Sequence, residues 1–263
     1  TSSKDLLLYD ELSHSSTNIG LKLSSAKYIK FKHNDANHLE SLLKKYRKKY
    51  FNCFLFTEGV FSMDGDRGNI KELALLANKY DASIILDDAH GFGVLGKGRG
   101  SLYEHNPTPE VLIQMGTLSK AIGSYGGFVT APKTIIKLLH SKARSLIYTT
   151  GLPPGTLAAS LKALQIIIKN PEVTKKPYKY AKLFCERAGL PIPESSIVSK
   201  ILYDENNTIK ASKLYENYGY YIGAIRPPTV PKNTSRLRFT FSSEHKKKDV
   251  IELAHLTKIL FKD

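Results

Sequence analysis

Ser83–Gly91, with the sequence SIILDDAHG, is the stretch that decides the fold predicted for this chain of 263 residues. Its first four residues form an apolar, β-branched run typical of a buried strand, and this run stops at two aspartates and a histidine. A second apolar run, Val111–Gly116, leads directly into Thr117–Lys120 (TLSK). In α/β sheets, ligands bind at the carboxyl ends of the strands. The first candidate site residues are therefore Asp87, His90, Thr117 and Lys120.

The residues before this stretch show the pattern strand, helix, strand. Cys53–Thr57 is apolar enough for a strand, and apolar residues recur at helical spacing from Ile70 to Tyr80. A βαβ unit of this kind implies a parallel sheet. We therefore expect an α/β fold with a large domain, built on a mostly parallel sheet, over residues 1–152. A connector helix and a smaller C-terminal α+β domain are expected over residues 153–263.

The connector helix is expected from about Thr156 to Ile168, where Asn170-Pro171 ends it. In the smaller domain, the apolar spacing predicts helices near 178–188, 209–218 and 244–260, and strands near 197–203, 220–225 and 236–241.

Composition limits the class of protein. Apolar residues make up 41% of the chain, which fits a globular protein. No apolar run approaches the roughly 20 residues of a membrane span, and the polar start does not resemble a signal peptide. We expect a cytoplasmic protein with no membrane partner. Cys53 and Cys185 lie far apart with no metal-ligand spacing around them, so we expect reduced structural cysteines and no metal site.

The net charge of +15 leaves several partners open, among them nucleic acid and an anionic substrate. A nucleic-acid-binding protein would concentrate its basic residues on one face with aromatic residues between them. Here the lysines are scattered over predicted helix faces, so we expect no nucleic-acid partner. Clustered positive potential and salt-dependent DNA binding would favour that rival class.

The candidate residues suit the chemistry of pyridoxal 5'-phosphate (PLP). A lysine amine forms a Schiff base with an aldehyde cofactor, and a buried carboxylate keeps a pyridine nitrogen protonated. Lys120 and Asp87 are candidates for these roles, with His90 at the ring hydroxyl and Thr117 at the phosphate. Taken singly, each has an ordinary alternative as a surface lysine, a turn-forming aspartate or a polar loop residue.

Gly91–Gly96 (GFGVLG) matches the dinucleotide-binding pattern GxGxxG and follows a predicted strand. A dinucleotide-binding site would require a helix that begins at this loop and an acidic residue at the end of the next strand. Lys97–Gly100 instead extends the loop, and Glu110 precedes the next strand. We interpret the match as accidental.

Three motifs in this order resemble the α-oxoamine synthases, which are fold-type I PLP enzymes that condense an amino acid with an acyl thioester. The motifs are Glu58–Asp66 (EGVFSMDGD), Asp87–Gly91 (DDAHG) and Gly116–Lys120 (GTLSK). The resemblance extends from Ser13-His14 to the last predicted helix. A further tract, from Ala224 through Arg238, is similar to the branch of the family that serves biotin synthesis.

The resemblance implies catalytic roles for four residues. Lys120 would be the Schiff-base lysine and the acid and base, and Asp87 would pair with the pyridinium nitrogen. His14 would stack on the cofactor ring, and His90 would contact the region of the ring hydroxyl.

The resemblance also implies residues that bind without reacting. Ser62 would contact the ring hydroxyl region, and Thr117 would hold the phosphate. Thr149 or Thr150 would join them from the second subunit of a homodimer whose active site lies at the interface. Arg238 would clamp the carboxylate of the amino acid, a task suited to the planar guanidinium.

The substrates implied in this way are L-alanine and a pimeloyl thioester of coenzyme A or an acyl-carrier protein. Their condensation with loss of carbon dioxide gives 8-amino-7-oxononanoate. A glycine C-acetyltransferase, another α-oxoamine synthase and an inactive truncated relative remain as alternatives. Family members carry an N-terminal portion before the segment that begins here, so the large domain is expected to be N-terminally incomplete.

Overall fold

The computed structural model describes residues Thr1–Phe261, which divide into two units. The larger unit contains Thr1–Phe61 and Gly68–Pro171, and the smaller contains Ser62–Arg67 together with the chain from Glu172 onward. The expected connector helix groups with the larger unit, whereas the sequence-based division placed it with the smaller domain. The predicted boundary between the two domains, after residue 152, stays a prediction.

The larger unit is built on a six-stranded sheet with the strand order β2-β1-β3-β4-β5-β6. Strands β1 to β5 run parallel, and β6 is antiparallel to β5. The expected α/β fold with a mostly parallel sheet is thereby confirmed. The strands are β1 (Asp5–Asp10), β2 (Lys27–Phe31), β3 (Asn52–Glu58), β4 (Ser83–Asp87), β5 (Ile113–Thr117) and β6 (Gly127–Thr130).

The helices of the larger unit are α1 (Ser15–Leu23), α2 (Ala36–Tyr46), α3 (Ile70–Lys79), α4 (Lys133–Lys142), α5 (Arg144–Ile147) and α6 (Pro154–Lys169). Helix α2 begins after Asp35, whose side chain accepts a hydrogen bond of 2.8 Å from the His38 amide. Leu39 and Leu43 of α2 are buried in the same cluster as Leu55 of β3. These contacts hold one face of the sheet in the core.

Strand β2 was not predicted, because its sequence KYIKF places two lysines in a five-residue edge strand. Only Phe31 at its end is buried. An edge strand that is largely exposed gives a weak alternation signal.

The described part of the smaller unit contains an antiparallel sheet with the order β7-β9-β8. Its strands are β7 (Ile197–Tyr203), β8 (Gly223–Ile225) and β9 (Ser235–Thr240), and its helices are α7 (Lys176–Ala188), α8 (Glu205–Asn217) and α9 (Lys247–Leu260). This is the expected α+β arrangement. Helix α8 begins earlier than expected because Asp204 caps it, accepting a 2.8 Å hydrogen bond from the Asn207 amide.

Replacing Tyr215 by phenylalanine is expected to lower the free energy of unfolding by about 1 kcal/mol. Tyr215 is fully buried, and its hydroxyl donates to Thr257 Oγ1 over 2.8 Å. The Thr257 hydroxyl also donates to the Leu253 carbonyl, so the variant leaves it with one partner. Urea unfolding of the two proteins measures the difference, and a loss above about 3 kcal/mol would show that the hydroxyl does more than this single bond suggests.

Cys53 and Cys185 are free and buried, and burial raises the pKa of both thiols to about 12. Both therefore stay protonated and unreactive near neutral pH, as expected for structural cysteines. None of the helices within residues 1–261 is both long and apolar enough to cross a membrane.

Candidate active site

Three neighbouring strands of the larger unit bring polar residues to one edge of the sheet. Glu58, Asp87 and Thr117 are the last residues of β3, β4 and β5. Glu58 lies opposite Asp87 in the parallel register, and the Gly59 amide donates to the Asp87 carbonyl over 2.8 Å. Because β3, β4 and β5 run in the same direction, their carboxyl ends lie side by side at the edge where α/β proteins bind ligands.

Asp87 offers a carboxylate oxygen to a ligand. Its Oδ1 accepts a hydrogen bond of 3.0 Å from the Ala89 amide, while within Thr1–Phe261 no group donates to its Oδ2. Asp87, Phe56, Ile85 and Met115 help to line a cleft of about 360 Å³ in the larger unit. This volume is in the range of small-molecule sites.

Lys120 lies in the loop that joins β5 to β6. The Leu118 amide donates to the Gly126 carbonyl over 2.9 Å, and the Ser124 amide donates to the Leu118 carbonyl over 2.8 Å. A further hydrogen bond of 2.8 Å joins the hydroxyls of Thr117 and Ser119. The loop is thus held on both sides of Lys120, whose side chain is exposed.

Glu58 connects several of the predicted site residues. Its side chain is buried, and its Oε1 accepts a 2.5 Å hydrogen bond from the His14 amide. Burial raises the pKa of Glu58 to about 8, and the negative charge of Asp87 adds to this rise. The positive charge of Lys120 acts in the opposite direction. Lys120 and Asp87 are therefore both within electrostatic range of the same buried carboxyl group.

Glu58 opens the first of the three motifs, and the resemblance implied no role for it. The signal that identifies it is its position as the last residue of an apolar strand, which Asp87 shares. A carboxylate ending each of two adjacent predicted parallel strands implies that the two groups meet at the sheet edge.

The turn that carries His90 is built around Asp88, which is fully buried. Asp88 Oδ2 accepts hydrogen bonds from the Ser101 amide at 2.9 Å and from Gln114 Nε2 at 2.8 Å. Burial raises the pKa of Asp88 to about 6. Its carboxylate fills the space that side chains would occupy at the glycines 59, 91 and 100, where an added Cβ would lie 2.0 to 2.2 Å from its oxygens.

This packing explains the GxGxxG match. Gly91 makes room for the Asp88 carboxylate, and its amide donates to the Asp88 carbonyl over 3.1 Å. The chain after β4 continues through turns and short 3₁₀ segments, and no α-helix begins there in the described structure. The structure therefore supports the interpretation that the match is accidental.

His14 and the two threonines occupy exposed positions. His14 caps α1: a 2.8 Å hydrogen bond joins its Nδ1 to Ser16 Oγ, and its backbone amide donates to Glu58. Thr149 and Thr150 follow α5, where the Thr149 hydroxyl donates to the Ser145 carbonyl over 2.5 Å. The placement of these threonines in the site of a second subunit stays a prediction.

The smaller unit brings Ser62 and Arg238 together. Arg238 Nε donates to the Ser62 carbonyl over 2.6 Å. Burial lowers the pKa of Arg238, and within the described residues of this unit its guanidinium has no acidic partner. A partly buried cation of this kind favours an anionic ligand. Arg236, two residues earlier in β9, forms an ion pair with Asp64.

Two comparisons of sequence agree with this description. The profile of the aminotransferase class I and II family matches residues 1–256. The 8-amino-7-oxononanoate synthase of Methylocella silvestris is 46% identical over the whole of this chain, which covers 75% of that protein. That of Granulibacter bethesdensis is 44% identical over 98% of this chain, which covers 67% of it. The chain spans between about two thirds and three quarters of the length of the curated relatives that it matches.

Solved structures share the fold. A serine palmitoyltransferase from S. paucimobilis, with a bound PLP-myriocin aldimine, aligns with a TM-score of 0.92 at 25% identity over 98% of this chain and 67% of its own. The 8-amino-7-oxononanoate synthase from Francisella tularensis aligns with a TM-score of 0.81 at 28% identity, over 98% of this chain and 76% of its own. The sheet order and the strand-end site are consistent with the family match over residues 1–256. The chain belongs to the aminotransferase class I and II family.

Proposed function

We propose that this chain carries the catalytic residues of a PLP-dependent 8-amino-7-oxononanoate synthase, which condenses L-alanine with a pimeloyl thioester in biotin biosynthesis. The observation that carries the proposal is the strand-end site, where Asp87 lies opposite the buried Glu58 and Lys120 follows the end of the neighbouring strand. The relatives from Methylocella silvestris and Granulibacter bethesdensis, which bear this enzyme name, support the choice within the family.

The residues of the larger unit fit PLP. The cofactor presents a pyridine nitrogen, an aldehyde and a phosphate, which call for a carboxylate, a lysine amine and hydroxyl donors. Asp87 Oδ2 accepts no hydrogen bond from residues 1–261, and Asp87 helps to line a cleft of suitable size. Lys120 and Thr117 belong to the adjoining strand end and loop. When bound, PLP supplies an electron sink that stabilises negative charge at the amino acid Cα.

The catalytic residues then have different tasks. The Asp87 carboxylate holds a proton on the pyridine nitrogen, which keeps the ring electron-poor. The Lys120 amine removes the proton from the substrate Cα and later returns a proton to the product. His14 would cover one face of the bound ring, and His90 would bind its hydroxyl.

The remaining residues bind and orient. The Thr117 hydroxyl holds the phosphate, and Ser62 contributes to the hydroxyl side of the ring. Arg238 binds the carboxylate of L-alanine, which fixes the orientation of the Cα proton. We propose further that the protein is a cytoplasmic homodimer in which Thr149 or Thr150 reaches the site of the partner subunit.

The visible absorption of the protein mixed with PLP tests this proposal. We expect a band that free PLP lacks, and we expect L-alanine to shift it at lower concentration than glycine does. Lys137→Ala on the exposed face of α4 is the control for adventitious reaction with surface lysines and should leave the band unchanged. The absence of a specific band would contradict the cofactor assignment, and a preference for glycine would favour a glycine C-acetyltransferase.

A further inference from the structure

We infer that the ion pair between Asp64 and Arg236 positions Arg238, so that Asp64 sets the affinity of the protein for the carboxylate of its amino-acid substrate. The inference deepens the proposed function and rests on it, because it takes Arg238 to be the carboxylate-binding residue. It assigns Asp64 and Arg236 as positioning residues that do not touch the substrate.

The two arginines lie on the same face of the central strand of the smaller unit. In β9, Leu237 and Phe239 point into the core, and Arg236 and Arg238 alternate with them on the opposite face. Arg238 lies opposite Ser199 of the neighbouring strand β7. This face of the sheet therefore carries both arginines together with Ser199.

The segment Ser62–Arg67 is held by the same part of the smaller unit. The Ser199 hydroxyl donates to the Met63 carbonyl over 3.0 Å, and the Ser195 hydroxyl donates to the Gly65 carbonyl over 2.6 Å. Gly65 has a φ of +81°, and a Cβ added there would lie 2.4 Å from the Ile197 carbonyl oxygen. The backbone of the segment approaches β7 so closely that only glycine fits at this point.

Arg236 and Arg238 bind this segment at two positions, Asp64 and Ser62. Arg236 is only 4% exposed, pairs with Asp64 and donates through Nε to the Thr234 carbonyl over 3.0 Å. Arg238 donates through Nε to the Ser62 carbonyl over 2.6 Å. This bond orients the Arg238 guanidinium and keeps its two terminal nitrogens for a bidentate contact with a carboxylate.

Loss of the Asp64 charge acts on Arg238 through this segment. A buried Arg236 without its acidic partner is strongly unfavourable, so its guanidinium would seek water or another acceptor. The segment beside Ser62 would then be held mainly by the Ser199 bond to the Met63 carbonyl, and the Ser62 carbonyl would orient Arg238 less firmly. In the Asp64→Asn protein we expect the dissociation constant for L-alanine to rise about tenfold.

The test compares two amine ligands, one with a carboxylate and one without. The PLP-loaded protein is titrated with L-alanine and with ethylamine, which has no carboxylate, and binding is followed by the change in the visible absorption of the cofactor. Asp64→Asn should weaken L-alanine binding about tenfold and leave ethylamine binding unchanged. A general loss of structure would weaken both ligands.

Glu194→Gln is the matched control. Glu194 Oε2 accepts a 2.9 Å hydrogen bond from the Arg67 amide at the other end of the same segment. The substitution makes the same change from acid to amide without touching the ion pair that Arg236 makes. We expect this variant to bind both ligands as the original protein does.

Arg236→Lys is a second, independent variant, and it should also weaken L-alanine alone because lysine lacks the planar fork. In an Arg238→Ala background, Asp64→Asn should add no further loss. Equal effects on both ligands, or unchanged L-alanine binding, would overturn the inference. If Arg238→Ala itself leaves the preference for L-alanine over ethylamine intact, the proposed role of Arg238 fails instead.

Discussion

The Lys120→Ala protein is expected to turn over its substrates about 10³-fold more slowly than the original protein, because a positioned acid–base group contributes on this scale. Lys120 lies in a loop fixed by hydrogen bonds on both sides, next to the strand end that carries Thr117. Its charge reaches the buried Glu58 at the same sheet edge. The alanine variant removes the amine that we propose moves the Cα proton and leaves the carboxylate of Asp87 in place.

Product formation from L-alanine and pimeloyl-coenzyme A measures this loss. Added methylamine should restore part of the rate, since a small amine can enter the space that the side chain leaves. Reduction with borohydride should attach PLP to the peptide that contains Lys120 in the original protein and to no peptide in the variant. Turnover in Lys120→Ala within tenfold of the original would show that another group carries the proton. Lys137→Ala should keep full activity.

Replacing Glu58 by glutamine is expected to raise the free energy of unfolding at pH 8, by up to about 4 kcal/mol. Burial raises the pKa of Glu58 from 4.5 to about 8. The folded state thus binds more protons than the unfolded state between these pH values. The contribution of Glu58 to stability is present below pH 4.5 and is lost as the pH rises through about 8. Glutamine keeps an acceptor for the His14 amide and carries no charge.

Urea unfolding of the protein without added cofactor, at pH 5 and at pH 8, measures this effect. The stabilisation by Glu58→Gln should be small at pH 5 and large at pH 8. Glu40→Gln is a control in which the pKa shift has the opposite sign, because hydrogen bonds from Lys79 and Lys44 lower the pKa of Glu40 to about 2. At a pH above the pKa that a glutamate has in the unfolded chain, the Glu40→Gln protein should have a slightly lower free energy of unfolding than the original protein. A Glu58→Gln protein less stable at pH 8 than the original would show that the buried carboxyl is compensated in another way.

The strength of local signals explains which elements could be predicted. Strand β4 and helix α3 have dense apolar patterns, because the apolar residues of both elements are buried in the same core cluster. Helix α8 began before its expected start because the capping side chain of Asp204 outweighed the apolar spacing. Strand β2 gave little signal because it lies at the sheet edge.

The sequence by itself determined the fold class and the family, and it predicted the residues of the candidate site. Each depends on neighbouring residues along the chain: apolar runs end at Asp87 and at Thr117, and parallel strands bring such ends together. Only the tertiary structure decided how Glu58 connects His14, Asp87 and Lys120, and why glycines surround Asp88.

The pairing of Asp64 with Arg236 joins residues far apart in the chain, within a segment that groups with the smaller unit. Contacts of this kind depend on which backbone segments approach each other in three dimensions. Periodicity and motif spacing describe only local order, so they carry no information about such contacts.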